Sequence, residues 1–307
     1  MTGEFNRREF LRKAGIIGIT TCGLGLVGDE LLGLMDEAEA ATQSTLAIAS
    51  GGGIEAMVKK AIDALGGIKK FVKRGDSVVI KPNLAWARTP AQAANTNPKV
   101  ISALIKLCKQ AGADRITVVD HTCDNATAAF NLNGAKEAVA GTGTRLVSAD
   151  KQFMYKRISI PKGKIIKSDD CIKEILDADV FINVPIAKVH GAVPITAGMK
   201  NLMGAIWDRG VWHRSDDLEQ CIADYSTKVK PNLIVLDAVR ILVTGGPKGP
   251  GKTKDVGKIA ASTDTVAIDA YAATLLGKNP RDVKHIAYAN AMGIGQMDLK
   301  KVNVKKV

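Results

Sequence analysis

Short apolar segments alternate with helix-forming segments along most of this chain. "STLAIAS" precedes "IEAMVKKAIDALGG", "DSVVIKPN" precedes "PKVISALIKLCKQAGA", and "RITVVDHTCD" precedes "ATAAFNLNGAKEAVAG". Apolar runs joined through helices are typical of βαβ units, whose parallel strands are buried on both faces. The pattern predicts an α/β fold with a mostly parallel, doubly wound sheet. Because 307 residues with 46% apolar content can bury one large core or two, two α/β lobes around a shared cleft are the alternative.

The middle of the chain departs from this rhythm. "FMYKRISIPKGKIIKS" alternates apolar and polar residues around "PKGK" and predicts a β-hairpin or edge insertion. After the strand "NLIVLDAV" we expect a loop, "RILVTGGPKGPGKTKDVG", and then the strand "KIAAST". The loop contains "GPKGPGKT", which fits the nucleotide-binding pattern GxxxxGK[ST]. Pro250 and the following "KDVGKIAAS" do not favour the helix that this pattern requires, so we do not expect a nucleotide there.

The first 40 residues resemble a twin-arginine (Tat) export signal. Arg7 and Arg8 precede a weakly apolar, glycine-rich run, and "AEA" at 38–40 offers small residues to a signal peptidase. We therefore predict cleavage after Ala40, a mature domain over 41–307, the Tat machinery as a partner, and a periplasmic or otherwise exported protein. A basic amphipathic tail or an uncleaved anchor is the alternative interpretation.

Net charge and cysteine spacing limit the classes of ligand and metal motif that we expect. The formal net charge is +12, but aromatic residues make up only 4% of the chain and offer few stacking platforms, so we expect no nucleic acid partner. A small anionic ligand or an envelope surface fits the charge better, and a merely solvated basic surface is the plainer alternative. The predicted mature chain has no CxxC pair and hence no ferredoxin-type or zinc-ribbon motif; its cysteines are Cys108, Cys123, Cys171 and Cys221.

Polar residues follow four of the predicted strands at the point where each strand ends. Carboxyl ends of parallel strands share one edge of the sheet, where ligands bind, so these residues should lie along one rim. They are Lys81 and Asn83; Asp120, His121, Cys123 and Asp124; Asn183, Lys188 and His190; and Asp237. Each also has a structural interpretation as a strand stop, a helix cap or a turn former.

The same segments resemble the domain of unknown function 362 family. "VVIKPN", "INVPIAKVH" with "GMKNLMG", "LIVLDA" with "GGPKGP", and "ASTDTVAIDA" occur in the order and spacing of that family, from about Ala47 to Gly277. The resemblance implies little chemistry, because the family has no established general activity. Some members carry an attached iron-sulfur ferredoxin module, which this chain lacks, and Thr244 stands where the family pattern has an acidic residue.

The residue types suggest roles for this rim. We predict His190, Lys188 and Asp120 as catalytic residues, moving a proton or holding an anion. The predicted ligand-binding residues are Lys81, Asn83, Lys200, Asn201 and Asp237. His121, Asp124 and Cys123 have donor types suited to a divalent metal, which is the one cofactor that the residues suggest. His213 could reach the rim from its loop, whereas His285 is predicted to be structural.

Two classes of function follow from these residues. The first is an exported enzyme acting on a small anionic compound at a cleft lined by Lys, His and Asp. The second is a non-catalytic protein that binds a metal, a cofactor or an iron-sulfur-related group and serves a redox or envelope partner.

Overall fold

A large, mostly parallel sheet organises the chain. The computed structural model describes residues 44–307, which form one compact unit. The predicted export signal over 1–40 lies outside these residues. The observed form of the α/β fold is one compact unit built on one large sheet with a small separate pair of strands, and the alternative of two lobes is not observed in the described part of the chain.

The strands follow one another in the order β12-β1-β11-β10-β7-β2-β3-β4, with β8 paired to β10 and β9 paired to β8. All neighbours in the sheet are parallel except β11, which is antiparallel to β1 and β10, and β9, which is antiparallel to β8. The strands are β1 (Thr45–Ser50), β2 (Ser77–Pro82), β3 (Arg115–Asp120), β4 (Arg145–Ser148), β5 (Tyr155–Ser159), β6 (Ser168–Ile172), β7 (Val180–Val184), β8 (Ile186–Val189), β9 (Ile195–Thr196), β10 (Leu233–Leu242), β11 (Thr253–Ser262) and β12 (Asn303–Lys306).

Helices cover both faces of this sheet. They are α1 (Ile54–Asp63), α2 (Pro98–Ala111), α3 (Ala126–Leu132), α4 (Ala135–Val139), α5 (Lys173–Asp177), α6 (Gly198–Asn201), α7 (Arg209–His213), α8 (Leu218–Ser226), α9 (Thr265–Leu275) and α10 (Lys284–Ala291). Alternate residues of β2 enter opposite cores: Val78 and Ile80 pack with α1 and α2, and Val79 packs with the core that contains α8 and α9. Burial on both faces explains why the strands are apolar throughout.

Local sequence explains where the helices begin and end. Asn97 caps α2 by accepting from the Lys99 amide at 3.0 Å, Pro98 occupies the first turn, and Gly112 ends the helix at φ 94°. The segment 126–141, predicted as one helix, is divided after Leu132 because Gly134 adopts φ 78°.

The structure confirms the predicted hairpin in the middle of the chain and corrects the predicted loop between β10 and β11. β5 and β6 form a separate antiparallel pair, which confirms the predicted hairpin. β10 and β11 extend into the two ends of the predicted loop and pair with each other in antiparallel fashion, so the connection between them is confined to 243–252 and is shorter than expected. The nucleotide-type pattern therefore enters a strand instead of a helix, and the helix that a phosphate-binding loop needs is missing at this position. Among residues 44–307 no helix has the length and apolar character needed to cross a membrane.

Candidate functional site

A cavity of about 200 Å³ opens beyond the carboxyl ends of β2, β3 and β8. The parallel strands bring their polar ends together here, which is the geometry expected of a ligand site in an open α/β sheet. Of the residues predicted from the sequence, those that line it are Lys81, Asn83, Asp120, His121, Cys123, Lys188, His190, Lys200, Asn201 and His213. The rest of the wall consists of Thr196, Met203, Gly204 and Pro247, which lie within or between the sequence motifs described above, and of Ala85, Trp86 and Arg209, which the sequence did not indicate.

A buried ion pair forms the base of this cavity. The Lys81 Nζ lies 2.8 Å from the Asp120 Oδ1, and both side chains are almost fully buried. Asp120 also accepts a hydrogen bond from the Leu84 amide at 2.7 Å. Gly204 lies directly against the pair, where a Cβ would overlap both charged groups. The close approach of backbone to this pair requires glycine.

Three asparagine side chains attach α6 to the strand ends. Asn83 donates to Asn201 at 3.0 Å, and Asn201 donates to Asn183 at 2.8 Å. Asn183 in turn donates to the Gly198 carbonyl at 2.8 Å. All three are buried, so this amide chain determines where α6 presents Lys200.

Two buried lysines, Lys188 and Lys200, lie next to this amide chain. Lys188 on β8 donates to the Asn83 Oδ1 at 3.3 Å and to the Ala94 carbonyl, and Lys200 lies 3.0 Å from the Met203 thioether. Burial, and then repulsion from Lys200, lowers the pKa of Lys188 to about 7. Burial, followed by the charge of Arg209, lowers the pKa of Lys200 to about 8. Both cations are therefore held in a site that penalises their charge when no anion is bound.

These lowered pKa values predict how stability depends on pH. An unfolded chain keeps its lysines protonated up to about pH 10, so between pH 7 and 9 it binds more protons than the folded protein does at Lys188 and Lys200. We expect the free energy of unfolding of the ligand-free protein to rise over this range because of these two groups. Denaturant titrations at pH 7, 8 and 9 would measure it. Lys188→Met should reduce the slope, the exposed Lys156→Met should preserve it, and equal slopes in both variants would contradict the assignment.

Backbone contacts set the two cavity histidines in opposite tautomers. The Ala192 amide donates to the His190 Nδ1 at 3.0 Å, which leaves the proton of the neutral ring on Nε2. The His121 Nδ1 lies 3.2 Å from the Ile206 carbonyl and must donate to it, which leaves Nε2 as an acceptor. Burial and the nearby lysines lower the pKa of His190 to about 3, and burial and Arg209 lower that of His121. The cavity therefore contains one neutral histidine whose Nε2 can donate a hydrogen bond and one whose Nε2 can accept a hydrogen bond.

Arg209 on α7 is the main charged residue that sequence reasoning missed. Its guanidinium donates to the carbonyls of His121 and Thr122 at 2.6 and 3.2 Å and contacts the Cys123 Sγ. No local pattern marks it, because its helix has only 5 residues and lies inside a polar segment. The same helix carries His213, which the structure places at the cavity.

Two predicted site residues lie elsewhere. Asp237 is buried and accepts from the Asn97 and Val239 amides at 2.7 and 3.0 Å, so it holds the start of α2; its burial raises its pKa to about 6. Asp124 pairs with Lys248 at 2.8 Å and accepts from the Ala87 amide. Both act as the loop anchors of their structural interpretation.

The predicted metal ligands are not brought together. Within residues 44–307 no three His, Cys, Asp or Glu side chains form a group that could hold a metal ion, so His121, Cys123 and Asp124 do not form a metal centre in this arrangement. His285 is fully buried, with its Nδ1 2.9 Å from Glu219, in keeping with the predicted structural role. Cys108, Cys123, Cys171 and Cys221 are all free thiols.

Comparison with known proteins gives a family and two relatives. The model of the family described as domain of unknown function (DUF362) matches residues 78–274. A thylakoid-associated protein of Synechocystis sp. is 26% identical over 258 residues, which is 79% of this chain and 76% of that protein. The lactate racemase apoprotein from Thermoanaerobacterium thermosaccharolyticum superposes with a TM-score of 0.47 and 12% identity, over 71% of this chain and 54% of the racemase, so this chain spans about half of the racemase's length.

Proposed function

This chain belongs to the domain of unknown function DUF362 family, and we propose that it is an enzyme that binds a small anionic compound in the cavity described above and transfers a proton to or from it. The observation that carries this proposal is the set of cations at the cavity. Lys188, Lys200 and Arg209 line it, and none of them forms an ion pair with a carboxylate in residues 44–307. Buried positive charge without a counter-charge is costly and is offset when an anion binds.

Proton transfer is supported by the groups beside these cations. His121 offers a lone pair at Nε2 that can take a proton from the bound compound, and His190 offers an N–H at Nε2 that can hydrogen-bond the negative charge that develops, both as neutral rings. General base catalysis needs such a positioned acceptor within reach of the bound compound. Asp120 acts in this proposal by holding Lys81 charged at the base of the cavity, where the ammonium adds to the positive field.

Analysis of what the purified protein contains tests the enzyme against the binding-protein alternative. Protein isolated from the envelope fraction is examined by native mass spectrometry, and its metal content by elemental analysis. The proton transfer proposed here uses the chain's own side chains, so the protein should be isolated without a stoichiometric metal or cofactor and should bind small anions reversibly. A metal, cofactor or iron-sulfur group held at one per chain would overturn proton transfer by these side chains alone and favour the carrier.

Export through the Tat pathway is the second part of the proposal. It is supported by Arg7 and Arg8, the apolar run and the small residues before Ala41. Replacing both Arg7 and Arg8 with Lys should keep the precursor in the cytoplasm, whereas Arg12→Lys should be exported like the unaltered protein. Cell fractionation and the mass of the exported chain measure this. Unchanged export of the double variant, or an exported chain that retains Met1, would contradict the signal.

A further inference from the structure

Three side chains of the segment from β8 to α6 meet at the cavity with unused binding capacity. Lys188 and Thr196 lie opposite each other in the antiparallel β8–β9 pair, and both line the cavity with 1% and 3% of their surface exposed. The buried Thr196 hydroxyl has no hydrogen-bond partner. Lys200 follows one turn later, and within residues 44–307 its ammonium contacts only the Met203 thioether, a weak acceptor. A buried hydroxyl without a partner is unfavourable unless a ligand completes it.

The charge at the cavity exceeds what a singly charged ligand can offset. Asp120 balances Lys81, but Lys188, Lys200 and Arg209 have no carboxylate partner in the described residues. A monocarboxylate would neutralise one of these three cations. A ligand with two negative charges on one group would neutralise two and could meet both ammonium groups at once.

We infer that the anionic compound of the proposed function is a phosphate monoester of a small organic molecule, whose dianionic phosphoryl group is held by Lys188, Thr196 and Lys200. The inference rests on the proposed function and names the class of its substrate. A phosphoryl group supplies three strong acceptor oxygens, and these match two ammonium groups and one hydroxyl.

The rest of the cavity suits the organic part of such a molecule. Its volume of about 200 Å³ is well above the ~10–15 Å³ that one water molecule needs. Trp86, Met203 and Pro247 add apolar surface to a wall that also contains the charged lysines. The site can therefore accept more than an inorganic ion.

Two probes of the same shape test the charge requirement. Sulfate and methanesulfonate are both tetrahedral, but sulfate has two negative charges at pH 7 and methanesulfonate has one. Isothermal titration calorimetry with the purified chain should show that sulfate binds at least about tenfold more tightly than methanesulfonate. Sulfate binding should also take up protons, measured as a dependence of the heat on the ionisation enthalpy of the buffer, because the pKa values of Lys188 and Lys200 lie near 7 and 8 in the free site. The other titratable groups at the cavity are Lys81, Asp120, His121, Cys123, His190 and His213.

Two substitutions locate the binding group. Lys200→Met should weaken sulfate binding about tenfold or more and reduce the preference over methanesulfonate, since a dianion loses more than a monoanion when one cation is removed. Thr196→Val should weaken sulfate binding several-fold without lowering the melting temperature, because the hydroxyl has no partner in the protein to lose. The exposed Lys156→Met serves as the control and should bind like the unaltered chain.

The last comparison separates an ester from an inorganic ion. Methyl phosphate should bind at least as tightly as inorganic phosphate if the cavity accepts an organic group, and weaker binding of methyl phosphate would overturn the ester assignment. Equal affinities for sulfate and methanesulfonate would overturn the dianion and leave the proposed small-anion enzyme standing. Binding of neither probe, nor of acetate, would overturn both.

Discussion

Asp120→Ala should destabilise the protein by about 3–5 kcal/mol, because it leaves the Lys81 ammonium buried without its counter-charge. Removing the carboxylate also deprives the Leu84 amide of its acceptor. The remaining contact of Lys81 is the Pro82 carbonyl at 3.1 Å, which cannot balance a full charge. Urea denaturation at pH 7 measures the free energy of unfolding. The loss should shrink at higher pH, where Lys81 can give up its proton.

An exposed ion pair provides the matched control. Lys106 and Glu55 form a pair whose side chains are 58% and 63% exposed, so Glu55→Ala should cost at most about 1 kcal/mol. The double variant Lys81→Met with Asp120→Asn should recover much of the stability lost in Asp120→Ala, since no buried charge remains. If Asp120→Ala lowers the free energy of unfolding by less than about 1 kcal/mol, the pair does not stabilise the base of the cavity as a buried ion pair would.

Substitution of Lys188 should weaken anion binding more than it weakens the fold. Lys188→Met removes a charge-assisted contact from a desolvated cavity, which should reduce affinity for sulfate by roughly tenfold to more than a hundredfold. Because the lysine is fully buried and donates to Asn83 and Ala94, its loss should also cost about 1–3 kcal/mol of stability. Affinity must therefore be measured by calorimetry at a temperature where the variant is folded.

His190 separates binding from catalysis at the same cavity. His190→Ala should leave sulfate affinity within a few-fold of the unaltered chain, because the ring is neutral, with a pKa near 3. It should remove a hydrogen-bond donor to the charge that develops in the reaction and so slow turnover by about 10²–10³-fold once a substrate is found. Lys156→Met again controls for charge on the surface. Equal sulfate affinity of Lys188→Met and the unaltered chain would show that Lys188 does not bind the anion and has a purely structural role.

The alternation of strands and helices determined the fold class from sequence alone. Apolar runs such as "VVIKPN" and "FINVP" indicate strands buried on both faces of a sheet, and their helical connections favour parallel neighbours, so the polar residues at their ends were expected to share one rim. Lys81, Asp120, Lys188 and His190 reach one cavity for this reason. Short-range signals were also sufficient for the β5–β6 hairpin.

Only the tertiary structure decided which of the rim residues face the cavity and which support it. Asp237 and Asp124 also follow predicted strands, as Asp120 does, yet they accept hydrogen bonds from neighbouring loops and are not among the residues that line the cavity. Arg209 reaches the cavity from a segment with no distinguishing pattern, and the β10–β11 extension depends on pairing that the local sequence does not indicate. Side-chain direction, burial and long-range partners depend on how the elements pack, and these properties set the lowered lysine pKa values and the opposite histidine tautomers that no local pattern encodes.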